Sequence, residues 1–105
     1  MRSLEERASA YEAEFAHREE LKFRARERAV KALAIWAAEC LGKTGEAAET
    51  YARKVVASDI ANPKLEATIE RVAGAVVPAG IGRREVDRMI NRLFAESDSA
   101  VRTAH

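Results

Sequence analysis

Proline and glycine are scarce in this 105-residue chain, two and five in all, and neither occurs before Gly42. Nothing in the first two-fifths of the sequence therefore breaks a helix or supplies a turn. Cysteine occurs once, at Cys40, which excludes an intrachain disulfide. With no signal peptide ahead of it, the expected location is the cytoplasm. Long apolar runs are missing as well. Residues 32–38 make up one of the longest, far short of the ~20 residues a membrane helix needs. The net charge of +1 leaves no basic surplus for phosphate, so nucleic acid is not an expected partner. The two histidines, His17 and His105, form no zinc-ligand spacing with Cys40, and no nucleophile stands near a base in the sequence. No metal, no cofactor and no enzymatic activity are expected.

What the first 40 residues do carry is a helical apolar stripe that starts, stops and starts again. Leu4, Ala8, Tyr11 and Phe15 are spaced four, three and four, and so fall on one face of a 3.6-residue helix. The next two places on that face are Arg18 and Lys22. The stripe resumes nearly in phase at Ala25, Ala29, Leu33, Trp36 and Cys40, so the break is one of chemistry and not of register. One reading is a single amphipathic helix that runs off the edge of a small domain. The other is a mobile recognition arm at residues 1–18, a domain at 19–97 and a flexible tail at 98–105.

Composition favours the arm. Glu5, Glu6, Glu12, Glu14, Glu19, Glu20 and Glu27 face Arg2, Arg7, Arg18, Lys22, Arg24, Arg26 and Arg28, so half of residues 1–28 are charged and the signs cancel. One thin stripe does not bury enough surface to offset the entropy of ordering such a segment, which should order fully only on a partner. Glu19 and Arg26, near the junction, read as rim charges of small effect.

Four helices are expected and no strand. Ser3 and Glu6 form a capping box for the first, and Gly42 closes it. Thr44 or Gly45 opens a second, with Ala48, Tyr51, Ala52, Val55 and Val56 on one face. Asn62-Pro63 reads as the cap and first position of a third, carrying Leu65, Ile69, Val72 and Val76. Residues 77–82 form a turn, and a fourth helix carries Val86, Met89, Ile90, Leu93 and Phe94. Beyond Ser97 no periodicity remains. Short links favour an all-α, compact four-helix bundle, its first helix long and its N-terminal part the mobile arm. The expected core is Leu33, Trp36, Tyr51, Val55, Ile69, Val72, Ile90 and Leu93. Much of the apolar content is alanine, so this core is small.

Gly42-Lys43-Thr44 copies the end of a phosphate-binding loop, but position 37 is Ala where the motif needs Gly, and the segment leaves a helix instead of a strand. A Walker-type site is rejected. Because any helix start attracts anions, Lys43, Thr44 and Gly45 stay as candidates for a weak nucleotide contact.

The string Glu6-Arg7, Tyr11-Glu12, Phe15-Ala16, Glu20-Leu21, Phe23, Trp36-Ala37-Ala38, Gly42, Gly45-Glu46, Ala48-Glu49, Tyr51-Ala52-Arg53, Val55-Val56 and Asp59 resembles the zeta-subunit family of ATPase inhibitors, found with the rotary ATP synthases of alphaproteobacteria. The similarity runs without a gap from about residue 6 to about residue 72. Arg28-Ala29-Val30 and the link Ile60-Ala61-Asn62-Pro63-Lys64 depart from the family pattern, and neither lies in the arm. The resemblance implies an inhibitor subunit whose N-terminal helix inserts at an interface between the alpha and beta subunits of the catalytic head and stops the rotor. Leu4, Glu5, Glu6, Arg7, Ala8, Tyr11, Glu12, Phe15 and Arg18 would then be the partner-binding residues, with Tyr11 and Phe15 as anchors. The implied partners are the alpha, beta and rotor subunits, met at the cytoplasmic face of the inner membrane by a chain that is a monomer when free. A small helical adaptor that binds a nucleotide or another protein is the alternative, and self-association through the Leu4 to Phe15 stripe is a third reading.

Overall fold

Helix α1, Leu4–Cys40, runs for 37 residues without a bend in its assignment, as a segment free of proline and glycine should. It belongs to a computed structural model that describes residues 4–104. The helix passes straight through the cationic break. There Lys22 pairs with Glu19 at 3.3 Å and Arg24 with Glu20, three and four residues away on the same surface, pairings that support a helix whose apolar face has no cover. The predicted cap at Ser3 lies outside the described residues.

Gly42 ends α1 as expected. Its φ of +72° places it in the left-handed region that glycine enters without a Cβ penalty. The Lys43 amide reaches the Ala38 carbonyl at 2.9 Å and the Gly42 amide the Glu39 carbonyl at 3.0 Å, the paired closure of a Schellman motif. Helix α2, Gly45–Ala61, then starts after Thr44, whose side chain makes no capping bond.

At the next link the structure departs from expectation. Asn62 does not cap the third helix; it terminates α2, its amide bonded to the Ser58 carbonyl at 3.0 Å. Helix α3, Leu65–Val76, begins one residue after Lys64, so Pro63 stands before the cap and not inside the first turn. Proline disfavours α geometry in the residue ahead of it, and Asn62 accordingly sits at φ −140° and ψ 84°. The turn after α3 includes Gly80 at φ +104°. Helix α4, Arg83–Ala104, also corrects the sequence reading: residues 98–104 continue the helix and are not a tail without regular structure. The Arg102–Asp98 pair at i,i+4 lies within this stretch, and just before it are the Arg92–Glu96 pair and the buried Ser97.

Among the described residues there are four helices and no strand, and the C-terminal half of α1 is the central element, packed by α4, α2 and α3. Val30, Leu33, Ala34, Ala37, Ala52, Val55, Val72, Ala73, Val76, Val86 and Ile90 form the core. Leu33, Val55, Val72 and Ile90 are buried as predicted. Trp36, Tyr51, Ile69 and Leu93 are only half-buried and pack on its outside. Alanines at 34, 37 and 38 bring the neighbouring helices close to α1, leaving too little room at the centre for an indole ring. The radius of gyration, 17.4 Å, exceeds the ~13 Å of a compact chain of this length, and the longest dimension is 62 Å. The excess comes from α1, ~55 Å long by its rise per residue.

Candidate functional site

The N-terminal part of α1 is where the molecule leaves apolar groups unpartnered. Glu5, Glu6, Arg7, Ala8, Glu12 and Arg18 are all exposed. Leu4 is 82% exposed, Tyr11 64% and Phe15 52%. The helix sets these apolar groups on one face as the spacing requires, and no other element covers them. Phe23, 56% exposed, adds a large apolar group near the neck that the stripe pattern did not single out. Apart from the half-buried Ala10, every described residue before Leu21 is exposed, and the first buried residue of α1 is Ala25. A row of aromatic and aliphatic side chains on an exposed helix is costly in water and is suited to a groove on another protein.

Immediately after the neck, α1 is tied to the body by a contact between residues far apart in sequence. Arg26 donates two hydrogen bonds to Asp59 of α2, from Nη2 to Oδ1 at 2.9 Å and from Nε to Oδ2 at 3.3 Å. Thr68 of α3 donates its hydroxyl to the same Oδ1 at 2.7 Å. Three helices thus meet at one carboxylate, whose side chain is only 7% exposed. This corrects the reading of Arg26 as a rim charge. In the sequence Asp59 stands out only within the family-like string, and its one local signal is an acid near the end of a predicted helix whose apolar neighbours face the core.

Burial on its own pushes the Asp59 carboxyl up, but the bonds from Arg26 and Thr68 and the guanidinium charge together outweigh it and hold the group below the usual carboxylate range. The same pairing holds Arg26 above its ordinary value. Because the folded pKa is depressed, the stabilising contribution is fully present above the unfolded value of about 4 and is lost as pH falls through the lower folded value. Urea unfolding followed from neutral to strongly acidic pH should show this loss in the parent chain, while Asp59→Asn, with no charge to titrate there, should lack that component.

The candidate nucleotide residues take other roles in the fold. Lys43 is half-buried, its ammonium 6.0 Å from the centre of the Tyr51 ring, a cation–π contact across the α1–α2 turn. Thr44 and Gly45 are exposed at the start of α2, and a helix precedes them, in keeping with rejection of the phosphate-loop reading. Tyr51 carries a buried hydroxyl without a hydrogen-bond partner, and burial pushes its pKa up. Burial, with Glu85 and Glu39 nearby, likewise pushes the Cys40 thiol up. Among the described residues no cluster of histidine, cysteine or acids could hold a metal ion, and no helix is long and apolar enough to cross a membrane.

The family model described as ATPase inhibitor subunit zeta matches residues 1–100 of the chain. No curated protein and no solved structure matches it significantly.

Proposed function

The chain belongs to the ATPase inhibitor subunit zeta family, and from that premise we propose that its exposed N-terminal helix enters an interface between the alpha and beta subunits of the synthase's catalytic head. Lodged there, it blocks rotation and with it ATP hydrolysis. The observation that carries this reading is the uncovered face of Leu4, Ala8, Tyr11 and Phe15 on a helix continuous with the body. A helix inserted at a moving interface must resist being pushed back, and α1 supplies that resistance because the same rod becomes the central helix of the core. Glu5, Glu6, Arg7, Glu12 and Arg18 flank the stripe, where they meet charges on the rim of the groove. The inhibitor acts as a single copy, at the cytoplasmic face of the inner membrane.

Before binding, residues 4–18, the described part of the proposed arm, are mobile. With no tertiary cover, these end turns of α1 are held by helix propagation alone, which leaves them at the low end of local stability. Backbone order parameters should fall below about 0.6 there, against about 0.85 for residues 33–56. Uniformly high values from residue 4 onward would mean a rigid arm.

The direct test is ATP hydrolysis by an alphaproteobacterial synthase head with and without this protein. Hydrolysis should fall with increasing inhibitor and saturate. A head whose rate is unaffected at excess inhibitor would overturn the reading.

A further inference from the structure

The body carries a second unpartnered surface, a groove between α1 and α2 that starts near Arg24 and is bordered by Val101 of α4. Its α1 wall includes Arg24, Arg28, Lys31 and Ile35, and its α2 wall includes Val56 and Ile60. Ile35 is 43% and Ile60 55% exposed, so each wall leaves apolar surface open to water. Ala48, Ala52 and Ala57 keep the α2 side low, so that a rod-shaped group can approach closely. With Arg24 paired to Glu20, the rim is still basic on balance: Arg28, Lys31 and Arg53 stand against Glu27 and Glu49. Residues 24–35 span ~16 Å, about three turns of helix.

We infer that this groove takes an acidic amphipathic helix on the synthase's catalytic head, beside the interface that the arm enters. The inference rests on the proposed insertion and adds a second contact to it. Shape and charge name the occupant: an apolar trough of helical length asks for an apolar helix face, and a basic rim asks for acids beside that face. Direction names its source. At 100° per residue, the α1 residues that line the groove lie roughly 180° around the helix axis from Leu4, Ala8, Tyr11 and Phe15. An arm held between two subunits has a wall on each side. Its stripe faces one wall, and the groove opens toward the other.

The test uses the full-length double variant Arg28→Glu, Lys31→Glu. Both residues are exposed, and neither is in the ion pairs of the fold, so folding should be unaffected; a far-ultraviolet circular dichroism melt checks this. The half-inhibitory concentration for ATP hydrolysis should rise about tenfold, and its dependence on salt between about 50 and about 200 mM should flatten. Ile60→Asp, at the other wall and also exposed, should weaken inhibition in the same direction. If the parent chain inhibits and both variants inhibit at the same concentration with the same salt dependence, the groove contact is wrong while the insertion reading stands. A parent chain that neither binds nor inhibits the head removes both. The remaining occupant is the arm of a second copy: sedimentation mass that grows with concentration for the parent, and not for the double variant, would assign the groove to self-association and overturn its assignment to the head.

Discussion

Deletion of residues 2–18 should abolish inhibition of ATP hydrolysis while leaving the melting of the remaining chain nearly unchanged. No described residue in that stretch is buried, and the core on α1 begins only at Ala25. The deletion therefore removes almost nothing that holds the body together, yet takes away the whole uncovered face. The double change Tyr11→Ala, Phe15→Ala should come close to the same result without shortening the helix. Truncating an aromatic anchor at the centre of an interface costs ~2 kcal/mol or more. Two such losses, if additive, weaken binding about a thousandfold. Arm-deleted protein that inhibits at the parent concentration would show that the body alone is the inhibitor.

The second large effect belongs to stability. Arg26→Ala should lower the unfolding free energy by ~3 kcal/mol, because it leaves the Asp59 carboxylate buried with the Thr68 hydroxyl as its remaining side-chain partner. Asp59→Ala should cost somewhat less, ~2 kcal/mol, since the Arg26 side chain is 29% exposed and can turn its charge toward water. Lys22→Ala, which breaks the exposed pair with Glu19, should cost ~0.5 kcal/mol or less. Urea unfolding of the three variants measures the order directly. Arg26→Ala indistinguishable from Lys22→Ala would mean that the three-helix contact contributes nothing to the fold. For a body with a core this small and alanine-rich, the loss of ~3 kcal/mol is a large share of total stability.

Both effects trace to α1, but they were not equally visible beforehand. The arm is written in local spacing: an apolar residue every three or four positions, broken by Arg18 and Lys22, needs no knowledge of any other segment. Gly42 is local in the same sense, because only the left-handed turn at that residue matters. The contact of Arg26 with Asp59 spans 33 residues, and that of Thr68 with Asp59 spans nine across a helix break. Until α1, α2 and α3 are placed, Arg26 is one more cation in a segment full of them.

By itself, then, the sequence determined the all-helical composition, the end of α1 at Gly42, the break in the stripe and the family-like string, all of which follow from periodicity, turn chemistry or residue order within a few turns. Tertiary structure decided the rest. Packing of α2, α3 and α4 around the small residues of α1 put Trp36, Tyr51, Ile69 and Leu93 at the margin of the core instead of its centre. Pro63, by contrast, acts locally: it holds Asn62 out of α geometry, which ends α2 there and leaves α3 to start at Leu65. Residues 98–104, without an apolar period of their own, remain helical as the continuation of α4, because propagating a formed helix costs far less than starting one. Which turns of α1 are buried was likewise set by where α2, α3 and α4 pack on it, a property of the assembled helices that no single helix carries.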